Sequence, residues 1–185
     1  TQAGARIFGW SAKRTMSVAQ RLYEEGLITY HRTDSMNLSL DAVSRARSFI
    51  EKEYGEKYLP IKALSYKTKS KSAQEAHEAI RPTDVNSKFQ ILNFKLESNE
   101  QKLFELIRRR FLACQMNPAV YSETTIDVMA KSTSGEPGLT PEVYLLRASG
   151  QIMIFDGWRK LFPIDSSGVI LLPDVKVGDE LEKQG

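Results

Sequence analysis

The sequence contains one cysteine, Cys114, in 185 residues. An intrachain disulfide and a zinc site built from cysteines are therefore both excluded, and the chain reads as intracellular, with Cys114 serving packing. No run approaches the roughly 18 apolar residues that a membrane span needs. The opening "TQAGARIFGWSAKRT" lacks the apolar core of a signal peptide and also lacks an initial Met, as a piece of a longer chain would. No repeat of solenoid period occurs. Only the Lys/Ser run "YKTKSKSAQ", residues 66–74, departs from mixed composition, and it reads as a mobile basic loop. What is present, 41% hydrophobic and 26% charged residues, is the composition of one ordinary globular domain or two small ones.

The net charge of +3 conceals an asymmetry. Residues 1–118 carry 20 Lys+Arg against 13 Asp+Glu, hence +7, and residues 119–185 carry 6 against 10, hence −4. Periodicity changes at the same place. "SAKRTMSVAQRLYEEG" puts Met16, Ala19, Leu22 and Tyr23 on one helical face, with Ser11 as N-cap and Gly26 as the stop. "SLDAVSRARSFIEKEYG" repeats the pattern with Ser39, the stripe Val43, Ala46, Ile50 and Tyr54, and Gly55. In "SNEQKLFELIRRRFLACQM", Ser98 and Gln101 suggest a capping box, Phe104, Ile107, Phe111 and Leu112 face inward, and the arginines of "IRRRF" read as solvated face. A shorter helix, "AQEAHEAIR", ends at Pro82. Beyond Pro118, "AVYSETTIDVMAK", "EVYLLRAS", "QIMIFDGWRKLFPI" and "GVILLPDV" predict four strands separated by turn clusters. The expectation is an α+β chain, helical first and β-rich second.

Two stretches carry chemistry. Read as a strand, "ITYHRTDS" places Tyr30, Arg32 and Asp34 on one face and Thr29, His31 and Thr33 on the other. A phenol with an ordinary pKa near 10 is a poor nucleophile, but it can attack a phosphodiester if a cation lowers that pKa and stabilises the phosphorane charge. Arg32 suits that task, because a guanidinium grips two phosphate oxygens at once. Asp34 is placed to orient it. On spacing alone the plainer reading, a strand aromatic among solvated charges, is the stronger one. In "AQEAHEAIRPTD", helical spacing puts His77 and Arg81 on one face as a phosphate clamp, with Lys67, Lys69 and Lys71 upstream for diffuse attraction of a nucleic-acid backbone. The alternative is a partly buried histidine bonded to a neighbouring carboxylate. No convincing metal-ligand set accompanies His77.

"LYEEGLITYHRTDSMNLS" and "AQEAHEAIRPTDV", in that order and separation, resemble the two signatures of type IA DNA topoisomerases, and the resemblance continues through "LFELIRRRFLACQMNPAVYSETT" and "FDGWRKLFP". "NLS" after "TDS" and the form "EAHEAIRPT" favour the bacterial topoisomerase I branch. The resemblance implies that Tyr30 cuts one DNA strand to form a 5′-phosphotyrosine and a free 3′-hydroxyl, with Arg32 beside the scissile phosphate. Asp34 and Ser35 fall on the rest of that motif, and His77 falls on a histidine contacting the DNA backbone; Arg81 is grouped with it as a DNA-binding residue. His31 stands where the family commonly has an apolar residue. The resemblance further implies a helical, winged-helix-like nucleophile domain over 1–116 and part of a β-rich hinge or arch over 117–185, incomplete relative to the parent. Mg²⁺ would be held by an acidic Toprim cluster absent from this sequence, which contains no Asp-x-Asp. The implied partners are single-stranded segments of negatively supercoiled DNA and the remaining domains of the parent, not a membrane. The implied place is the bacterial cytoplasm, at the nucleoid. Relaxation would need no ATP, and the piece alone is expected to be inactive. The rival expectation is a nonenzymatic single-stranded nucleic-acid-binding module in which Tyr30 stacks on a base.

Overall fold

The structure, a computed structural model, describes residues 1–66, 77–86, 97–131, 142–163 and 171–182. Four helices are described, α1 Gln2–Phe8, α2 Ala12–Glu24, α3 Leu40–Tyr54 and α4 Ser98–Ala113, followed by two strands, β1 Val120–Lys131 and β2 Val143–Phe155. Short 3₁₀ turns lie at Glu56–Tyr58 and Gly157–Lys160. The chain divides into a helical unit, Thr1–Pro118 with Gly157–Pro163, and a β unit formed by 119–156 and 164–185.

Local chemistry accounts for the helix ends. Ser11 Oγ accepts from Arg14 N–H at 3.2 Å and Ser39 Oγ from Ala42 N–H at 3.3 Å, each satisfying an orphan donor of the first turn. Helix α2 stops at Gly26, whose φ of 70° is a left-handed conformation costly for any residue with a Cβ. The capping pair of α4 sits earlier than Ser98 and Gln101: the Glu97 N–H donates to the Glu100 carboxylate at 3.0 Å. Carboxylates there gain from the helix dipole as well as the hydrogen bond.

The core of the helical unit joins α2 and α4. Val18, Ala19 and Leu22 pack with Leu103, Phe104 and Leu106, together with Trp10, Leu27 and Ile28. The buried face of α2 is Thr15, Val18, Ala19 and Leu22, so Tyr23, expected inward, lies outside it and is exposed. Helix α3 buries Ala42, Val43, Ala46, Phe49 and Ile50. Arg108 departs most from the expected solvated face. It is buried, donates to the Val85 carbonyl at 2.8 Å, lies 4.9 Å over the Phe49 ring and has Glu105 at 3.5 Å. Its stem fills core volume while its charge is partly met, as burial of a guanidinium requires.

The segment 157–163, expected as part of a β-strand, turns back into the helical unit. Trp158 N–H donates to Asn117 O at 2.9 Å, and Asn117 Nδ2 donates to the carbonyls of Lys57 and Leu59. A Cβ on Gly157, where φ is 48°, would collide with the Asn117 and Pro118 carbonyls, so only glycine permits this return.

Within the β unit, β1 and β2 form one antiparallel hairpin with Thr124 opposite Gly150 and Lys131 opposite Val143. Ser149 and Gly150, read as a turn between two strands, lie inside β2, because the long partner strand supplies ladder bonds through them. The fourth expected strand is not formed over 171–175, and its first residues, with the basic loop 67–74 and the start of the helix expected at 73–81, lie outside the described residues.

Candidate active site

Helix α2 delivers the chain, through Gly26, into Leu27 and Ile28, both buried. The expected strand "ITYHRTDS" is not one. Its only ladder element among the described residues is a bridge between Ile28 and Pro82. The described part of "AQEAHEAIR" is extended rather than helical, because residues 79–83 pair with this segment. Thr29 N–H donates to Arg81 O at 2.9 Å, Thr83 N–H to Leu27 O at 3.0 Å and the Thr29 hydroxyl to Ala79 O at 2.8 Å. Arg81 N–H donates to Thr29 Oγ1 at 2.9 Å, and Ala79 N–H donates to Asn37 O at 2.8 Å. Residues 30–36 are thus a loop whose two ends, Thr29 and Asn37, are pinned by the same short segment. Both motifs form one structural piece, and tertiary pairing overrides the helical spacing of the second.

Inside the loop, exposure alternates residue by residue. Tyr30, Arg32 and Asp34 are exposed, whereas His31 and Ser35 are buried and Thr33 is half-buried. The expected alternation of exposure therefore survives without a strand. Turn hydrogen bonds replace the ladder: Thr33 Oγ1 accepts from Ser35 N–H at 3.0 Å, and Ser35 Oγ accepts from Asn37 N–H at 3.2 Å. Ser35, expected at DNA, thus faces inward and shapes the turn. Asp34 makes no ion pair with Arg32 among the described residues, contrary to its expected orienting role.

The Tyr30 ring is held by edge-on neighbours, Tyr23 at 5.3 Å and His31 at 5.5 Å between centroids, with 67° and 65° between planes. Such contacts fix ring orientation while the ring stays 44% exposed. Burial and the nearby Arg32 charge lower the His31 pKa, opposed by Glu24. The neutral imidazole is therefore the favoured form, and it is buried while Tyr30 beside it is exposed. Arg32 has no carboxylate partner among the described residues, so its guanidinium is available to an anion.

The expected clamp of His77 and Arg81 is not assembled. His77 is exposed on extended chain at the Asn37 end of the pairing. Arg81 is occupied: Nε and Nη2 donate to the two Glu78 oxygens at 2.7 and 2.9 Å, and Nη1 donates to Pro82 O at 3.0 Å. Burial raises the Glu78 pKa, but the Arg81 bonds and the Ser39 N–H outweigh it and hold the carboxyl below its usual value. The Ser39 N–H donates to Glu78 at 2.9 Å, which ties the second motif to the start of α3. Thr29, Asn37, Glu78 and Thr83 are thus the residues that sequence reasoning missed. Their signal was the density of Thr and Asn around the loop, side chains that bond backbone groups outside regular structure.

Comparison with known proteins places these observations. A protein-family model described as DNA topoisomerase matches residues 1–185. The chain is 47% identical over 183 residues to DNA topoisomerase 1 of Pseudomonas aeruginosa, covering 98% of this chain and 20% of that protein. It is 48% identical over 162 residues to DNA topoisomerase 1 of Escherichia coli, covering 88% of this chain and 17% of that protein. The full-length topoisomerase I structure from Thermotoga maritima superposes with a TM-score of 0.71 at 32% identity, over 95% of this chain and 27% of that one. The chain spans about a fifth of the length of these curated relatives.

Proposed function

Since the chain belongs to the bacterial DNA topoisomerase family, we propose that it is the nucleophile-bearing part of a type IA enzyme that relaxes negatively supercoiled DNA. The observation that carries this reading is the pinned loop, on which Tyr30 and Arg32, two residues apart in sequence, are both exposed and Arg32 has no carboxylate partner among the described residues.

The Tyr30 oxygen bonds to the phosphorus of one strand as its proton leaves to water. The P–O3′ bond breaks, and the departing 3′ oxygen takes up a proton to become a free hydroxyl. The products are a 5′-phosphotyrosine and a nicked strand. Arg32 meets the charge that grows on the non-bridging oxygens, where a preorganised guanidinium acts more strongly in the transition state than before it. Religation is the same step reversed. The phosphodiester bond energy is kept in the Tyr30 linkage, so ATP is not consumed. Exposed His77 contacts the DNA backbone, and Asp34 is exposed on the same loop as Tyr30. Arg81 acts by holding the loop rather than by touching DNA.

Among the described residues no group of three or more His, Cys, Asp or Glu could hold a metal. The Mg²⁺ of the proposed reaction is assigned to an acidic cluster in another part of the parent, and the 185-residue chain alone is expected not to cleave. Also among the described residues, no helix is long and apolar enough to cross a membrane; the parent is proposed to act on DNA in the cytoplasm.

A covalent-trapping assay tests the reading. Labelled single-stranded oligonucleotide, Mg²⁺ and this chain, with a separately expressed metal-binding piece of the parent, should give a denaturation-resistant adduct that disappears in Tyr30→Phe. An adduct that persists in Tyr30→Phe would sink the assignment.

A further inference from the structure

Arginines in this molecule are usually partnered. Arg21, Arg45, Arg81, Arg108, Arg109 and Arg147 each have a carboxylate within 4 Å, Arg14 donates to the Asn99 amide and Arg47 to the Pro60 carbonyl. Among the described residues, Arg6, Arg32, Arg110 and Arg159 have no such acceptor. Arg32 belongs to the loop described above. The other three, from α1, α4 and the turn after β2, line one groove of the helical unit of about 730 Å³, and no Asp or Glu lines it with them.

Three like charges around one concavity repel one another and focus a positive potential into it, and an entering anion relieves that repulsion. The volume lies within the roughly 300–1,000 Å³ of ligand clefts. Arg159 is stacked on the Trp158 ring at 4.7 Å, and its Nε is buried without an acceptor. Stacking holds the guanidinium flat at the groove wall, with no acceptor on it among the described residues. The wall is aromatic as well: Trp158, Phe162 and Tyr66 line it. Tyr66 is 41% exposed, yet its hydroxyl is committed to the Cys114 carbonyl at 2.7 Å, so what it offers a ligand is a fixed ring face.

We propose that this groove is a nucleotide-binding site in which Arg6, Arg110 and Arg159 take the phosphate and Tyr66 takes the base. A phosphate alone would need the arginines but not the rings, and an apolar ligand would need the rings but not the arginines. The site stands on its own chemistry and does not depend on the role of Tyr30. Its nucleotide is either free or one unit of a single strand.

The test is isothermal titration of the 185-residue chain at low salt with thymidine 5′-monophosphate, inorganic phosphate and a dodecameric oligothymidylate. The monophosphate is expected to bind at least about tenfold more tightly than inorganic phosphate, through the added stacking. Arg6→Gln and Arg110→Gln, both on exposed side chains, should each weaken it by about tenfold, the effect of one lost charge-assisted contact. Tyr66→Leu should erase the preference over phosphate, and Arg45→Gln should change nothing. Tighter binding of the oligothymidylate that is also lost in Arg110→Gln would assign the source as a strand; equal binding would assign free nucleotide. Equal affinity for phosphate and monophosphate would overturn the proposal even if a variant failed to fold. Loss in Arg32→Gln but not in Arg110→Gln would overturn it too. Adduct formation at Tyr30 is scored separately, so failure of either idea leaves the other standing.

Discussion

Every buried hydrophobic side chain among the described residues, from Trp10 to Leu161, belongs to the helical unit. The hairpin, by contrast, leaves Met129, Val143, Leu145, Leu146, Ile152 and Ile154 more than half exposed. The two regions draw on the same kinds of residues and differ in what the backbone can do with them. Helices α2, α3 and α4 each collect apolar residues on one stripe, and stripes bury one another. A two-stranded ribbon has two faces and no second layer, so its apolar residues have nothing within the ribbon to bury against. What holds the hairpin is its ladder, with cross-strand pairs such as Arg147 on Asp127 at 2.6 and 2.9 Å, exposed contacts of small net value. The pinned loop is built on the region with the core, where a precise placement can be maintained.

That contrast can be broken most forcefully at Phe104, which is wholly buried between α2 and α4. Phe104→Ala is expected to destabilise the helical unit by roughly 3–5 kcal/mol in denaturant unfolding; a loss below about 1 kcal/mol would mean that the core is not where stability resides. Amide exchange sharpens the same point, with strong protection expected through α4 and much weaker protection along β1 and β2. Equal protection would show the hairpin to be as stable as the core.

A middle-sized effect is expected at the pinned loop. Thr29→Val keeps the shape but removes the hydroxyl that donates to Ala79 O and accepts from Arg81 N–H. It should cost about 1–3 kcal/mol and reduce Tyr30 adduct in the trapping assay, whereas a loop held by other contacts would give unchanged adduct.

Smaller still are the pH effects, confined to the helical unit. The His31 pKa is lowered by burial and then by Arg32, so folding favours neutral imidazole; the stability it confers is present above the ordinary histidine value of 6.5 and is lost as pH falls below it. The Glu78 pKa is lowered because the Arg81 and Ser39 bonds outweigh burial; its contribution is present above the ordinary glutamate value of 4.5 and is lost as pH falls through the folded value. Stability should therefore decline in two steps on acidification, with His31→Leu removing the upper step and Glu78→Gln the lower. A pH profile unaltered in both variants would refute these environments. Least of all should change in Leu146→Ala, at an exposed hairpin position, within about 0.5 kcal/mol of the parent; a larger loss would reveal burial that the ribbon lacks.

Much of the helical region was readable along the chain because its determinants are local. Ser11, Gly26, Ser39 and Gly55 act through bonds and dihedrals within five residues of themselves, and the 3.6-residue stripes of α2 and α3 hold whatever they pack against. Misreadings occurred where the deciding partner was distant. "EAHEAIR" has helical spacing, but Thr29 and Asn37, some fifty and forty residues away in sequence, draw its end into extended pairing. Arg108 looked like one of three solvated arginines until Val85 and Phe49 were seen to enclose it. Ser149 and Gly150 looked like a turn until β1 supplied ladder partners.

By itself, then, the sequence determined helices α2, α3 and α4, the serine caps of the first two, the α+β class and, through the alternation of "TYHRTDS", which side chains of the loop are exposed. Local backbone preferences and side-chain period suffice for those. Only the tertiary structure decided that the two motifs are one piece, that Arg81 is held by Glu78 while Arg32 has no such partner, and that three unpartnered arginines meet in a groove. Each depends on which distant groups compete for the same hydrogen bond or charge, and no local preference encodes that competition.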